Sequence, residues 1–387
     1  MARLTDHSAH FSRFLSAVPG RLHAAAHSHH PWPDVTFEAH ARAWEDAAGL
    51  MDAKWDTVFG RVIPEAQGHV ARRLGLSDPA SIAFAPNTHS LLVRILSCLP
   101  DTPAVLTTDA EFHSFDRQLR RLEEDRRAAV ERVPAEPLGS FPRRFAAAAA
   151  IGGHDLVFLS HVHFDSGYVT PGLGALVEAV ADPDAYVVVD GYHGFMAIPT
   201  DLSAVEARAF YLAGGYKYAM AGEGACFLHC PPGWCPRPRD TGWYAGFGSL
   251  SDAPGAGVAY AADGSRFLGA TFDPTALYRF NAAQRWVDGL GLTVEGIHAH
   301  VSALQRLLID GLDPRLRSAL VPDAGVADRG HFLTFRLPDA GGVHRRLSAA
   351  GVVTDRRGDR LRVGLGIYHT EADAGELARR LVAAAAD

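Results

Sequence analysis

The sequence predicts an α/β protein in which a large layered domain on a mixed, mostly parallel sheet is followed by a smaller C-terminal α+β domain. Three observations predict it. Short apolar runs without polar interruption recur along the first three quarters of the chain, as strands buried on both faces do. Helical patterns separate them, giving the β-then-α rhythm of a layered sheet. At 387 residues the chain also exceeds the size at which one core stops growing.

The elements follow in order. Residues 1–33 are expected to form an arm that completes the small domain, 34–280 the large domain and 281–387 the small one. The opening MARLTDHSAHFSRFL carries charge and histidine instead of an apolar signal core, so a cytoplasmic protein is expected. The runs SIAFAPN (81–87), AVLTTD (104–109), DLVFLSHV (155–162), AYVVVD (185–190), ARAFYLAG (207–214) and ACFLHC (225–230) predict strands. Residues 88–99 and 171–181 predict helices between them, and ligands of such sheets bind beyond the carboxyl ends of the strands. Residues 234–264, rich in glycine, proline and aromatics, predict a long ordered loop. Beyond Ala262, two helical stretches (275–292 and 294–312) precede the strand patterns FLTFRLP, VVTDRR and RLRVGLG and a closing helix.

Composition excludes several classes. Asp and Glu outnumber Lys and Arg by 44 to 37, too acidic for the cationic face that nucleic acid requires. No stretch reaches the roughly 20 apolar residues of a membrane span. The four cysteines (Cys98, Cys226, Cys230, Cys235) lack the paired spacing of a zinc site and are expected as reduced, structural thiols. Only Lys54 and Lys217 are lysines, so any role that needs an amine has two candidates.

Lys217 is favoured. Asp190 closes the run VVVD and Lys217 follows another run 27 residues later, whereas Lys54 lies in an amphipathic helical stretch, where a lone lysine is usually solvated. A carboxylate at one strand end with an amine one strand over can hold the ring nitrogen and the aldehyde of pyridoxal 5'-phosphate. A lysine in a dry pocket loses its proton easily. The cluster AAAHSHHPWP, with His27, His29 and His30, has no acidic or cysteine partner at metal-ligand spacing, so no metal is expected.

With these residues in view, the chain resembles the fold-type I pyridoxal-phosphate enzymes of the class V aminotransferase group, and within it kynureninase. The resemblance rests on PNTHS (86–90), EFHSF (111–115), SHVHFDSGY (160–168), DGYHG (190–194), GYKY (215–218), TGWY (241–244), GATFDP (269–274) and DRRGDRLRVGLGIYHTEAD (355–373). It implies Lys217 as the Schiff-base lysine, Asp190 as the partner of the pyridine nitrogen and His193 as a support beside them. Asn87, Thr88, Tyr216 and Trp243 match phosphate contacts, and Thr271 matches a residue lent to the neighbouring subunit, which implies a homodimer. His113 matches the ring stacked on the pyridine, with Phe112 as the alternative, while Phe164 and Ser166 match residues near the phenolic oxygen. Arg362 matches the arginine that grips a substrate α-carboxylate, with His27 or Ser28 nearby, and Arg356 and Arg360 are expected to face solvent.

The resemblance implies a kynureninase-like hydrolysis of a Cβ–Cγ bond, with class V transamination to a 2-oxo acid as the alternative. A cysteine desulfurase needs a reactive cysteine in the C-terminal third, and none follows Cys235. A non-catalytic metal-binding protein is the contrasting class.

Overall fold

A computed structural model describes residues 4–249, 257–323, 325–326 and 329–386. Among the described residues the strands in chain order are β1 (Leu22–His23), β2 (Ile82–Ala85), β3 (Ala104–Thr108), β4 (Ala129–Val133), β5 (Leu156–Ser160), β6 (Tyr186–Asp190), β7 (Ala209–Gly214), β8 (Cys226–His229), β9 (Phe332–Arg336), β10 (Val352–Val353), β11 (Asp355–Arg357) and β12 (Arg360–Gly364). Seven of them form the main sheet in the order β2-β8-β7-β6-β5-β3-β4. All its neighbours run parallel except β8, which is antiparallel to both β2 and β7.

The apolar runs account for six of those strands. β5 and β7 are buried at every residue, and the valines of β6 suit a pleated surface packed on both sides. β4 is absent from the expected set because it is an edge strand, AVERV, whose first four side chains alternate between exposed and half-buried before the buried Val133, so it lacks an unbroken apolar run. The loop expected at 234–264 contains short 3₁₀ turns at Trp243–Ser249 and Gly264–Phe267, and part of it lies outside the described residues.

The helix Thr275–Gly289 packs its apolar residues into the core of the main sheet, so the boundary expected at 280 falls inside a helix. A second core gathers the helices Val294–Asp310, Ala340–Ala349 and Glu371–Ala386 against the antiparallel sheet β11-β12-β9. The N-terminal arm enters this core. β1 pairs in parallel with β10, and Ala25 bridges to Gly364. His30 N–H then donates to the Tyr216 carbonyl at 3.1 Å, which carries the arm across to the main sheet.

Cys98 and Cys235 are joined as a disulfide with Cα atoms 5.8 Å apart, which corrects the expectation of free thiols for this pair. A separation of 137 residues hides such a pairing from spacing alone. Cys226 and Cys230 are free and buried. No helix among the described residues is long and apolar enough to cross a membrane.

Candidate active site

Strand register builds the site. Ser160 at the end of β5 stands opposite Asp190 at the end of β6. Because β8 runs backwards, its first residue, Cys226, lies between Gly214 at the end of β7 and Ala85 at the end of β2. These ends border a cavity of about 300 Å³ lined by Asn87, Thr88, Asp190, His193, Tyr216 and Lys217, all expected from the sequence. Phe112, Phe164 and Tyr192 supply aromatic walls.

Lys217 is 5% exposed, and its ammonium donates to His193 Nε2 at 2.8 Å. Nζ lies 4.5 Å from the centre of the Tyr192 ring and 5.6 Å from the centres of the Tyr216 and Phe112 rings. Burial lowers the amine to about 7, against the opposing pull of Asp190. Burial, reinforced by the positive Lys217, holds His193 well below the ordinary histidine range, so the neutral ring accepts at Nε2. Its Nδ1 is buried without a hydrogen-bond partner.

Asp190 is turned back by the chain it ends. The Tyr192 N–H donates to Asp190 Oδ1 at 2.9 Å, and Gly191 is required because a Cβ there would meet the Tyr211 ring at 1.9 Å. Burial raises the Asp190 carboxyl, with the Tyr192 N–H and Lys217 opposing it, so a cation placed against it would favour its ionised form. Behind it, buried Glu111 accepts from Ser160 N–H at 3.0 Å and Ser160 Oγ at 2.6 Å. Burial pushes Glu111 up to about 8 despite these donors. Sequence reading missed Glu111, although it opens the EFHSF segment.

The helix Thr88–Leu96 begins at the cavity. Asn87 is its cap, with Oδ1 accepting from Ser90 N–H at 2.8 Å, so the oxygen is committed to the cap and Asn87 can offer an anion only N–H donors, from its backbone or its Nδ2 amide. The N–H groups of the first turn have no partner inside the helix and suit an anion. The Tyr192 hydroxyl, missed from sequence, reaches the same corner 3.4 Å from Cys226 Sγ. It fills space left by Gly214, where a Cβ would meet that hydroxyl at 2.2 Å and Cys226 Sγ at 2.6 Å. Gly214→Ala should therefore destabilise the fold by about 1–3 kcal/mol; an unchanged urea midpoint would show that this corner is not tightly packed.

Other expected residues lie elsewhere. His113 begins the helix His113–Glu124 as an exposed residue and packs on Phe164 with ring centroids 5.0 Å apart. The cavity is faced by Phe112, the cap before that helix, and not by His113. Ser166 is buried outside the cavity wall, its Oγ accepting from Tyr168 N–H at 3.3 Å. Trp243 and Thr271 are both exposed and hydrogen-bonded to each other at 3.1 Å, away from this chain's own cavity. His27 is fully buried and stacks on Phe332. Ser28 pairs instead with His29, which lies on Tyr216. His30 packs edge-on against Tyr368, so the three histidine rings of the arm diverge.

Arg362 is 3% exposed and donates to the Phe164 carbonyl and to Asp355 Oδ2. Arg360 corrects its expectation: it pairs with Asp165 at 2.7 Å and Glu136 at 2.8 Å instead of facing solvent freely.

These groups fit pyridoxal 5'-phosphate. A carboxylate, a deprotonatable amine, a helix N-terminus flanked by tyrosine hydroxyls and an orphaned imidazole nitrogen are the donors and acceptors that its ring nitrogen, aldehyde, phosphate and phenolic oxygen require.

Comparison with known proteins agrees at the level of the fold. A cystine C–S lyase, solved with its product cysteine persulfide, superposes with a TM-score of 0.83 at 19% identity, covering 95% of this chain and 99% of that one. A lysine-to-alanine variant of a C-DES protein, with glycine covalently linked to the PLP cofactor, superposes with a TM-score of 0.82 at 18% identity over 96% and 98% of the two chains. A probable cysteine desulfurase of Vibrio cholerae serotype O1 is 23% identical over 357 residues, 82% of this chain and 80% of that one. The kynureninase likeness expected from the motifs has no counterpart among these three. The family model for class-V aminotransferases matches residues 44–350, and the chain belongs to that family.

Proposed function

We propose that the protein is a PLP-dependent enzyme that breaks a bond at the β-carbon of a small α-amino acid, and that it works as a homodimer. The observation that carries the reading is the contact of Lys217 Nζ with a neutral His193, one strand over from Asp190, at the mouth of a helix N-terminus. When bound, PLP supplies an electron sink for the α-carbon.

The chain's own groups do the rest. Asp190 keeps a proton on the ring nitrogen by offering it a carboxylate in a dry site. Lys217, with an amine near neutrality, holds and releases a proton at the α-carbon. Its proton rests against His193 Nε2, which fixes the direction of the amine. The walls of Phe112, Phe164 and Tyr192 keep water away, so these charges act in a low dielectric. Arg362 offers guanidinium donors to a carboxylate, with His27 beside it. Trp243 and Thr271, exposed and joined outside their own cavity, support a site completed by a second copy.

A sulfur-containing substrate is the first choice. An exposed cysteine that takes sulfur away is not required when the sulfur leaves with its own carrier, as the lyase likeness suggests; Cys98 and Cys235 are paired, and Cys226 and Cys230 are buried. Burial also pushes the Cys226 thiol up to about 11, so it is a poor nucleophile. A kynurenine-type substrate is the second choice, favoured by the edge-to-face Phe112 and Phe164 rings at 5.5 Å.

The test is a visible spectrum of purified protein before and after borohydride, followed by a panel of cystine, cysteine, kynurenine and amino-donor/oxo-acid pairs. A reducible yellow band with pyruvate and a thiol or persulfide from cystine is expected. Alanine and anthranilate from kynurenine would select the second choice. Amine transfer without loss of a β-substituent would reject cleavage in favour of transamination, and a protein that stays colourless with added PLP would reject the cofactor.

A further inference from the structure

We propose that Asp355 is a resident counter-carboxylate, which fills the anion fork of Arg362 in the unliganded protein and must be exchanged for the carboxylate of an incoming substrate. The inference rests on reading Arg362 as the carboxylate receptor, and it adds the residue that sets how strongly that receptor binds.

The placement comes from strand register. Asp355 on β11 stands directly opposite Arg362 on β12 in an antiparallel pair, so their side chains share one face. The Arg362 and Asp355 side chains are only 4% and 14% exposed. One terminal nitrogen of Arg362 donates to Asp355 Oδ2, the other to the Phe164 carbonyl, and Nε is buried without a partner. His27 lies with Nε2 3.7 Å from the same Asp355 oxygen, and neither nitrogen of its buried ring has a hydrogen-bond partner.

A buried guanidinium needs a counter-charge, and Asp355 provides it. A second carboxylate added to the same buried fork would crowd two anions onto the one Arg362 guanidinium, a repulsive arrangement. An incoming carboxylate therefore replaces the Asp355 oxygen instead of joining it. The displaced group has somewhere to go. Arg357 already donates to Asp355 Oδ1 at 2.7 Å from the solvent side, and His27 can offer Nε2–H to the oxygen that Arg362 gives up. Burial pushes Asp355 up, but His27, Arg362 and Arg357 hold it well below the usual carboxylate range, so it stays an anionic competitor at working pH.

Propionate is the probe, a carboxylate that cannot enter amine chemistry. Its dissociation constant is measured by calorimetry on the cofactor-loaded protein, with the visible spectrum of each sample recorded alongside. Asp355→Asn is expected to bind propionate about tenfold more tightly than wild type, ~1.4 kcal/mol. Asp355→Glu, still anionic, is expected to stay near wild type, and Arg362→Gln to lose binding. The Asp355→Asn melting temperature should fall without ligand and recover with propionate. Equal or weaker binding by Asp355→Asn would overturn the exchange and leave Asp355 as a strut for Arg362. Asp355→Ser repeats the test with a smaller neutral side chain. Should both neutral variants fail to fold, refolding with propionate supports the proposal if it restores them and overturns it if it does not. Absence of the chromophore in wild type with propionate binding intact would reject the cofactor reading alone.

Discussion

Replacing Lys217 with alanine is expected to abolish the borohydride-reducible absorption and to lower turnover by at least about 10⁴-fold, because in the proposed reaction no other side chain would supply both the covalent bond and the base. Lys54, the other lysine, lies outside the cavity, with Nζ 5.4 Å from the Trp55 ring in a short helix. Lys217 is the buried amine, aimed at His193 and enclosed by Tyr192, Tyr216 and Phe112. Its pH behaviour sharpens the test. With the amine lowered to about 7, the unliganded protein should release the lysine proton near neutrality, and the variant should lose that step. The fold should survive, since removing a desolvated amine also removes its burial cost. A variant that keeps the reducible band would move the role to Lys54. One that binds PLP reversibly and forms a slow complex with substrate amine, without turnover, is the expected result.

Much of this site was legible from one sequence because the chemistry sits where buried runs end. YVVVD leaves Asp190 at a strand's carboxyl end, and AFYLAG leads to Lys217, so both reach one crevice by topology alone. What was not legible depends on register, phase or long-range packing. Cys226 enters the site because β8 is inverted, which its composition does not announce. His113 and Phe112 differ by one residue in phase: the helix starts at His113, so the cap before it faces the cavity. Asp355 reaches Arg362 only through the register of β11 on β12. Trp243 and Thr271 are exposed, bonded to each other and outside the lining of the cavity, a placement that only the fold determines. The cavity walls were less legible, because the Phe112, Phe164 and Tyr192 rings come from separate segments that only the fold brings together.

Acid should unfold this protein steeply below about pH 6, through histidines buried in the neutral state. His27, His30, His161, His163 and His369 are each at most 4% exposed. Burial lowers His27 and His30 to about 3, and His161, His163 and His369 to about 4. The unfolded chain takes up protons near 6.5 while the folded one does not, so stability is fully present above that value and is lost as pH falls toward the folded values. The slope approaches about 1.4 kcal/mol per pH unit for each group once the unfolded ring is fully protonated, so three of them remove about 5 kcal/mol between pH 6.5 and 5, comparable with the whole stability of a typical domain. Two other groups act differently. Glu111, raised to about 8, gains stability as pH falls toward its unfolded value, but it is one group against five. Lys217, lowered to about 7, makes its change above neutrality and is nearly flat in the acid window. The arm should respond first, because His27 and His30 lie on it and His369 Nε2 lies 2.8 Å from the His23 carbonyl. Urea melts from pH 8 to 5 should show a midpoint roughly level down to pH 6.5 and falling sharply below it. A midpoint that holds steady to pH 5 would mean that these rings take up protons in the folded protein as readily as in the unfolded chain, and burial would then not be what keeps them neutral.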